Sequence, residues 1–409
     1  MSEWKEYTLA DIAAPQKKSI ISGPFGSNIS SKYFVESGIP VIRGNNLSLD
    51  IGKKFIDADF VFISEEKANE LGTWAKEDDL IFTAAGTIGQ VGILIGNNNF
   101  RRYIISNKQL RVTPNKSLVE PLYAYYWFAS PRMIDTIINS DTGSTIPLIN
   151  LSVLKSLPII LPPLPEQHSI ASILSSLDDK IDLLHRQNKN LEALAATLFR
   201  QWFVEEAEEG WQVTNIGSVL QTVLGGTPST TKPEYWDGDI PWINSGEVNN
   251  FRILESTRFI TNLGLQKSNT KLLPKGTTVL AITGATLGQV SLLEIDTCAN
   301  QSVVGVIPNE KLPKEYVFLW IKHRIKEIIL NETGGAQPHI NKNDINETEI
   351  IIPDEKLMKK GIEIINPMFE KITKNSFQIC TLEKLRDTLL PKLMSGEVRV
   401  KLEEEEAGI

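Results

Sequence analysis

The 409-residue sequence lacks the features that define several common classes of protein. It has two cysteines, Cys298 and Cys380, which are too few for a disulfide framework or a cysteine-rich zinc site and which suit a reducing cytoplasm. No apolar run approaches the roughly 18 residues of a membrane span, and the first residues have no apolar core. The sequence therefore predicts a cytoplasmic protein that is neither secreted nor membrane-spanning.

Residues for catalysis or metal binding are also scarce. The four histidines are scattered, and none has a second His, a Cys or paired carboxylates at ligand spacing. The glycine-containing stretches 22–26 and 283–288 lack the Gly-Lys-Ser/Thr that completes a phosphate-cradling loop. We therefore expect no metal, no bound cofactor and no enzymatic activity, and an independent hydrolase is the least favoured interpretation.

An excess of positive charge is missing too. The net charge of −8 argues at first against a nucleic-acid partner, which usually requires a basic surface. Most of the negative excess lies in residues 166–210, which hold nine acidic and four basic side chains. The large segments on either side are near neutral, so they can still present local basic surfaces.

The sequence does contain a long tandem repeat. Residues 142–150 align with residues 333–341 at an offset of 191, and the same offset continues into the helical segments that follow. Upstream, residues 87–91 align with residues 286–290 at an offset of 199. Each half therefore has a first part of variable length and a second part of fixed length, which indicates two copies of one architecture.

The variable parts have the pattern of mixed α/β domains. Apolar stretches at 79–83 and 278–282 each run into a glycine-containing turn and a second apolar stretch, which predicts strand-turn-strand. One helix is expected in each copy, at 120–138 and 313–330. Aromatic residues at helical spacing in the first, such as Tyr123, Tyr126 and Trp127, are interpreted as core.

The fixed parts are predicted to be long amphipathic helices. Apolar residues recur at heptad spacing from Ile170 to Leu198 and from Ile365 to Leu389, with Leu385 among them. Pro367 predicts that the main second helix begins near residue 366. Each helix needs a partner, and the other copy is the nearest candidate. Asn188 and Asn375 are interpreted as buried register devices rather than surface residues. The predicted pairing residues are Leu177, Ile181, Leu184, Asn188, Leu191, Ile372, Asn375, Ile379 and Leu382.

Three segments carry a resemblance to a known family. The sequence Leu-Pro-Pro-Leu-Pro-Glu-Gln at 161–167, the heptads that follow it and the closing segment 390–398 resemble the conserved regions of type I restriction-modification specificity subunits. The resemblance covers the chain to about Val400. The second copy departs from it, because residues 352–356 lack the Leu-Pro-Glu-Gln element. A strand at the repeated Thr-Gly…Ile-Asn motif is expected to lead into each helix.

The resemblance implies an α+β fold with two mixed α/β target recognition domains, separated by two antiparallel coiled-coil helices and related by a pseudo-twofold axis. The expected bounds are 1–165 and 206–353 for the recognition domains, 166–205 and 354–400 for the spacer helices, and 401–409 for an acidic tail. It also implies a non-catalytic subunit, in which each domain reads half of a split DNA target. Two DNA adenine methyltransferase subunits, which bind S-adenosylmethionine, dock beside it, and restriction subunits can join them.

Candidates for DNA contact are polar residues in the glycine-rich connections, because base edges are read by such donors and acceptors. Each of them has the alternative role of a turn residue that caps its own backbone. Thr87 and Gln90 match Thr286 and Gln289, and residues shared by both copies are expected to support the fold or touch phosphates. The candidates are Asn28, Arg43, Asn45, Asn46, Thr87, Gln90, Lys108, Gln109, Arg111, Ser144 and Thr145 in the first copy, and Thr227, Ser229, Asn244, Ser245, Glu247, Thr286, Gln289, Gln301, Gln337 and His339 in the second.

One alternative from another class remains open at this point. A coiled-coil scaffold with two β-rich heads that bind proteins or glycans would also explain the acidic balance. Steep weakening of binding as salt rises would favour DNA, and salt-insensitive binding to another ligand would favour the scaffold.

Overall fold

A computed structural model describes residues 4–143, 145–331 and 339–400. The chain divides into two compact units, one of residues 1–180 and 382–409 (unit 1) and one of residues 181–381 (unit 2). Both boundaries between the units fall inside long helices. Ser144, Gln337, the segment 332–338 and the predicted acidic tail 401–409 lie outside the described residues.

Unit 1 contains eleven described strands and four short helices before the first long helix. The strands are β1 (Lys5–Thr8), β2 (Ile20–Ser22), β3 (Phe34–Val35), β4 (Ile39–Ile42), β5 (Val61–Ile63), β6 (Trp74–Lys76), β7 (Leu80–Thr83), β8 (Val91–Ile93), β9 (Arg102–Ile105), β10 (Gln109–Val112) and β11 (Pro158–Leu161). The helices are α1 (Glu65–Leu71), α2 (Pro121–Phe128), α3 (Pro131–Asn139), α4 (Leu151–Ser156) and the long α5 (Leu164–Arg200), which continues into unit 2 and ends in a π-helical turn, Gln201–Glu205.

Unit 2 has a similar but not identical order of elements. Its strands are β12 (Gln212–Asn215), β13 (Gln221–Leu224), β14 (Trp236–Ile243), β15 (Arg258–Ile260), β16 (Leu272–Leu273), β17 (Thr278–Ala281), β18 (Val290–Leu292), β19 (Thr297–Ala299), β20 (Val303–Ile307) and β21 (Glu349–Ile352). Its helices are α6 (Ile216–Val219), α7 (Asn262–Gln266), α8 (Lys314–Asn331), α9 (Lys342–Glu347) and α10 (Glu355–Ser395), whose last part belongs to unit 1.

The sheets of the two units have matching topology. A four-stranded sheet has the order β2-β10-β7-β8 in unit 1 and β13-β20-β17-β18 in unit 2. A second sheet, β3-β5-β4-β9-β6 or β15-β14-β19-β16, contains one parallel pair in each unit. A two-stranded sheet, β1-β11 or β12-β21, completes each copy. The predicted strand-turn-strand segments are the hairpins β7-β8 and β17-β18.

Each unit has its own hydrophobic core, in which the aromatic residues of one helix are buried. Tyr123 donates a hydrogen bond to the carbonyl of Ile160, and Trp127 donates one to the carbonyl of Pro158. In unit 2, Tyr316 and Trp320 make the same bonds to β21. These side chains fix the helix against the strand that precedes each long helix, and the interpretation of the aromatics as core is confirmed.

Helices α5 and α10 pair in antiparallel fashion within each unit. In unit 1, Arg386 of α10 contacts Asp178 of α5. In unit 2, Asn375 donates a hydrogen bond of 2.9 Å to Asn188, and Gly361 packs against the ring of Phe203. In unit 2, residue 375 of α10 contacts residue 188 of α5, and residue 361 of α10 contacts residue 203 just after α5. Residue numbers therefore rise along one helix as they fall along the other, as in an antiparallel pair. The two asparagines are buried and bonded to each other, as expected of register devices.

The predicted pairing residues differ in how far they are buried. Ile181, Leu184, Asn188, Ile372, Asn375 and Ile379 are buried, whereas Leu177, Leu191 and Leu382 are half-buried. Leu385, placed in the seam by heptad spacing, is 44% exposed, so that assignment was wrong. Arg386, the next residue along the helix, is buried instead because it forms an ion pair with Asp178.

Two predictions about the helices were also wrong. The helix expected at 120–138 is two helices, because Pro131 has no N–H to donate and Ser130 caps a new helix there. Helix α10 does not begin near residue 366 but runs through Pro367, which lies on the exposed face between the buried Ile365 and Phe369. Packing of those two side chains keeps the turn helical.

The repeated Thr-Gly…Ile-Asn motif is not a strand where it is described in unit 1. Asn150 instead caps helix α4, accepting hydrogen bonds from the backbone N–H groups of Ser152 and Val153. Asn341 caps α9 in the same way. An asparagine side chain satisfies the free N–H groups of a first helical turn, which explains its recurrence. Among the described residues no helix is long and apolar enough to cross a membrane.

Candidate nucleic-acid interface

In unit 1, five loops meet at one end of the sheets. We call residues 23–28, 43–46, 84–90, 106–109 and the described part of 142–148, without Ser144, the first loop cluster. Gly23 N–H donates to Gln109, Ser106 N–H to Ile42 and Ala84 N–H to Lys108. The last loop joins them where Gly86 N–H donates to Pro147. The backbone itself therefore holds the five loops together as one surface.

Unit 2 has an equivalent second loop cluster, made of residues 225–229, 244–247, 282–289, 300–302 and 339–341. Gly225 N–H donates to Val303, Asn300 N–H to Ile243 and Ile282 N–H to Ser302. These three bonds match, position by position, the three that join the first four loops in unit 1. The framework is thus duplicated, although the two clusters differ in most of their side chains.

One glycine in each cluster is required by a close approach. A Cβ atom on Gly23 would overlap the carbonyl oxygen of Ser106, and a Cβ atom on Gly225 would overlap that of Asn300. Only glycine permits backbone to pass backbone this closely. The glycines therefore fix where each following loop, 24–28 or 226–229, leaves the sheet.

Several predicted DNA-contacting residues are exposed on these clusters. In unit 1 they are Asn28, Asn45, Thr87, Lys108 and Thr145. In unit 2, Thr227, Ser229, Gln289, Gln301 and His339 are exposed, and Asn244, Ser245 and Thr286 are half-buried. Thr227 donates a hydrogen bond to Gln301 across two loops. Arg43 is half-buried, and its Nε has no hydrogen-bond partner among the described residues.

Five other residues predicted to contact DNA have side chains that are engaged within the protein. The buried side chain of Asn46 bonds to the backbone of Arg43, Ile56 and Ala58, which uses its polar atoms inside its own loop. Gln109 is also buried and pairs with the hydroxyl of Ser106. Because both side chains are buried, neither presents an edge to a base.

Arg111, Gln90 and Glu247 are engaged within the protein as well. Arg111 is buried, donates to the carbonyls of Trp74 and Lys18 and pairs with Asp79. Burial lowers the pKa of Arg111 and raises that of Asp79. Gln90 links Thr83 to the carbonyl of Leu47. Glu247 accepts hydrogen bonds from the backbone of Asn244 and Thr257. These three residues shape the loops.

Lysine side chains in the first cluster and beside the second suit an anionic ligand. Lys108 is exposed in the first cluster. Beside the second lies an open cavity of about 630 Å³ lined by Thr227, Gln301, Lys232 and Lys267, with no carboxylate in its lining. Lysine ammonium groups are suited to phosphate oxygens. Among the described residues no group of His, Cys, Asp and Glu is arranged to hold a metal ion.

Asp141 shapes the loop that contains Thr145. Its carboxylate accepts hydrogen bonds from the backbone N–H groups of Gly143 and Leu148, at 2.7 and 2.8 Å. The N–H of Leu148, followed by that of Gly143, lowers the pKa of Asp141. An ionised carboxylate thus closes this loop from within.

Sequence reasoning missed Phe25 and Asn107 in the first cluster. Phe25 is 83% exposed at the tip of the Gly-Pro-Phe-Gly turn, and the Asn107 side chain lies beside Gly26. The search for polar readers passed over Phe25 because its side chain is apolar. Its position in the repeat could have identified it, because Phe25 follows Gly23 by two residues just as the predicted contact Thr227 follows Gly225.

Buried charges anchor each unit to its part of the long helices. In unit 1, Asp178 of α5 accepts hydrogen bonds from Tyr126 and Arg386 at 2.6 and 3.0 Å. In unit 2, Glu192 of α5 pairs with Lys322 and Arg252. Burial raises the pKa of Asp178 and lowers that of Arg252. Each loop cluster is thereby carried on a domain that is fixed to its helix pair.

The fold and the two clusters define a duplicated, loop-presenting protein. The chain matches the family described as type I restriction modification DNA specificity domain over residues 1–193 and 208–379. It belongs to that family. The match covers both copies of the repeat, so the predicted resemblance is confirmed.

Individual relatives agree with this assignment. The chain is 29% identical to the type I restriction enzyme MjaIX specificity subunit of Methanocaldococcus jannaschii, over 85% of this chain and 86% of the relative. It is 23% identical to the HindI specificity subunit of Haemophilus influenzae, over 97% and 100%. The fold is similar to that of an S subunit from M. genitalium, with a TM-score of 0.63, 16% identity and 96% coverage of both chains.

These comparisons decide between the functional alternatives left open by the sequence. The family and the relatives are specificity subunits, which confirms the expectation of a non-catalytic, DNA-specifying role. None of them supports a scaffold that binds proteins or glycans.

Proposed function

We propose that each loop cluster reads one half of a split DNA target, the first cluster one half-site and the second the other. The observation that carries this proposal is the duplicated backbone framework with different exposed side chains, since two unequal half-sites require the same presentation of different readers. Asn45, Thr87 and Lys108 in unit 1, and Thr227, Gln289 and Gln301 in unit 2, are the residues we assign to DNA.

The long helices supply the interval between the half-sites. Helix α5 has 37 residues, which corresponds to a rod of about 55 Å at 1.5 Å per residue. A helix of this length suits half-sites separated by about one helical turn of DNA, roughly 34 Å. A change in the length of the helices should therefore change the number of undefined base pairs between the half-sites and leave the sequence of both half-sites unaltered.

The chemistry belongs to partner subunits in this proposal. Two DNA adenine methyltransferase subunits dock on the chain, bind S-adenosylmethionine and methylate adenines within the target. Restriction subunits join the same complex to cleave unmodified DNA. The complex acts in the cytoplasm, on the DNA that it finds there.

A map of methylated adenines tests the proposal. Cells that express this chain with its cognate methyltransferase are compared with cells that express the methyltransferase alone. The expected result is a new motif with two defined halves around a spacer of fixed length. A soluble, assembled complex that adds no methylation at any sequence would contradict the proposed function.

A further inference from the structure

The exposed residues of the first loop cluster include apolar side chains in an otherwise polar surface. Phe25 is 83% exposed, Ile146 is 56% exposed and Leu148 is 39% exposed. Phe25 lies at the tip of the loop fixed by Gly23, and the other two lie in the loop closed by Asp141. An apolar group left in water is unfavourable, so these positions suit an apolar partner.

The repeat gives an internal comparison for these three positions. Phe25 aligns with Thr227, Ile146 with Gln337 and Leu148 with His339. Each apolar residue of the first copy thus corresponds to a polar residue in the second. Both copies share the backbone bond that holds the loop of Phe25 or Thr227, so the fold alone does not demand an apolar side chain at that position.

The backbone fixes the position of Phe25. The N–H of Gly23 donates a hydrogen bond to the carbonyl of Gln109. The ring of Pro24 fixes the φ angle of that residue at about −65°. Phe25 then precedes a 3₁₀ turn, Gly26–Ile29, in which Asn28 N–H donates to the carbonyl of Phe25. The ring is therefore presented on a defined turn, with Lys108 and Asn107 in the neighbouring loop.

Duplex DNA offers few apolar groups to such a surface. In the major groove, base edges carry hydrogen-bond donors and acceptors, and the C5-methyl group of thymine is their one apolar feature. Resting on the proposed function, we infer that Phe25 and Ile146 contact thymine methyl groups, so that the half-site read by unit 1 includes thymine at the positions they face. The second cluster, with Thr227 and Gln301, reads its half-site through hydrogen bonds.

The test uses the assembled complex of this chain with its methyltransferase and a duplex that carries the mapped motif. Each thymine of both half-sites is replaced in turn by deoxyuridine, which removes only the methyl group. Loss of one methyl contact should weaken binding about fourfold, the equivalent of one buried carbon. We expect such positions in one half-site and none in the other.

Variants then assign the effect to particular residues. At one thymine position, Phe25→Ala or Ile146→Ala should bind the thymine duplex only as tightly as the original chain binds the deoxyuridine duplex. For that variant, replacement of this thymine by deoxyuridine should have no further effect on binding. Val35→Ala is the matched control, because Val35 is an exposed apolar residue of β3 in the same unit. That variant should keep the full thymine preference.

Two outcomes would overturn the inference. In one, no thymine methyl affects binding in either half-site. In the other, both variants weaken binding equally on thymine and deoxyuridine DNA. Since both side chains are largely exposed, thermal unfolding of the variants should match the original chain, which separates lost contact from lost folding. A wild-type complex without any sequence preference would instead defeat the proposed function itself.

Discussion

Gly23 in unit 1 and Gly225 in unit 2 occupy the same place, each against a carbonyl of the neighbouring loop. Two residues later the first cluster has Phe25 and the second has Thr227. The interloop hydrogen bonds are the same in both, whereas the exposed side chains differ. The comparison teaches that the fold assigns positioning to backbone and glycine, and leaves the reading of DNA to side chains that can change without changing the loops.

The largest expected effect tests how each domain is fixed to its helix pair. Removal of Arg386 leaves the buried charge of Asp178 without its ion-pair partner, so Arg386→Ala in unit 1 should destabilise by about 3–5 kcal/mol. Arg252→Ala in unit 2 should cost less, because Glu192 keeps its ion pair with Lys322. Urea unfolding measures both. Arg186→Ala is the control, because its pair with Asp182 is exposed and should contribute less than about 1 kcal/mol. Equal stability of all three variants would contradict the anchoring role.

Gly23→Ala breaks the shared framework in one copy only. The added Cβ overlaps the carbonyl of Ser106, so the variant should lose about 1–3 kcal/mol of stability and displace the loop that carries Phe25. Thermal unfolding and DNA-binding titration measure the two effects. Gly44→Ala is the matched control within the cluster, because its Cβ would lie 3.8 Å from Gln90 in ordinary contact. If both variants behaved alike, the close approach would not define the loop.

Equivalent tyrosines in the two units are expected to contribute equally to stability. Tyr123→Phe and Tyr316→Phe each remove one hydrogen bond to the strand before a long helix. Each should therefore cost about 1 kcal/mol, which chemical denaturation can resolve. A large difference between the two variants would show that the copies rely on this bond unequally.

A smaller effect is expected from the charge that distinguishes the clusters. Lys108 aligns with Ser302, because the loops that contain them make the same backbone bond. Lys108→Ser should weaken DNA binding and reduce the slope of log affinity against log salt by about 1, as expected for one phosphate contact. Ser302→Lys should raise that slope by a similar amount. An unchanged slope in both variants would place these positions away from DNA.

The smallest expected effect concerns pH and the loop held by Asp141. The folded-state pKa of Asp141 lies below its ordinary value of 3.8, so its stabilising contribution is complete above that value and is lost as pH falls through the folded pKa. Amide exchange at Leu148, followed by NMR, should therefore show loss of protection at the acid end of that range. Asp141→Asn should remove this acid dependence. Protection that does not change with pH in the original chain would contradict it.

Much of the fold could be predicted from the sequence because its signals are local. The repeat offset, the hairpin patterns and the heptads identified both copies, and Asn188 and Asn375 stood out as polar residues in apolar seams. Asp178 and Glu192 were missed, because a charged residue in a helical pattern is usually exposed. Their burial depends on Arg386 and Arg252, which are distant in sequence.

The site was less predictable because a polar loop residue has two possible uses. Asn45 and Asn46 are neighbours of one residue type, yet Asn45 is exposed and Asn46 is buried in its own loop. Nothing in their sequence separates them, since the difference lies in which backbone groups the fold brings near. The motif residues Glu166 and Gln167 also have roles that their sequence does not show. Glu166 accepts a hydrogen bond from Arg399, and Gln167 donates to the carbonyls of Leu118 and Pro162.

The measurement that tests the central claim most directly is a methylation map for three complexes, each with the same methyltransferase. One contains the original chain, one the variant Phe25→Ala/Asn45→Ala in unit 1, and one the variant Thr227→Ala/Gln301→Ala in unit 2. Our account predicts that each variant relaxes one half of the motif, a different half in each, with the other half and the spacer unchanged. Relaxation of the same half by both variants, or of neither half, would contradict it.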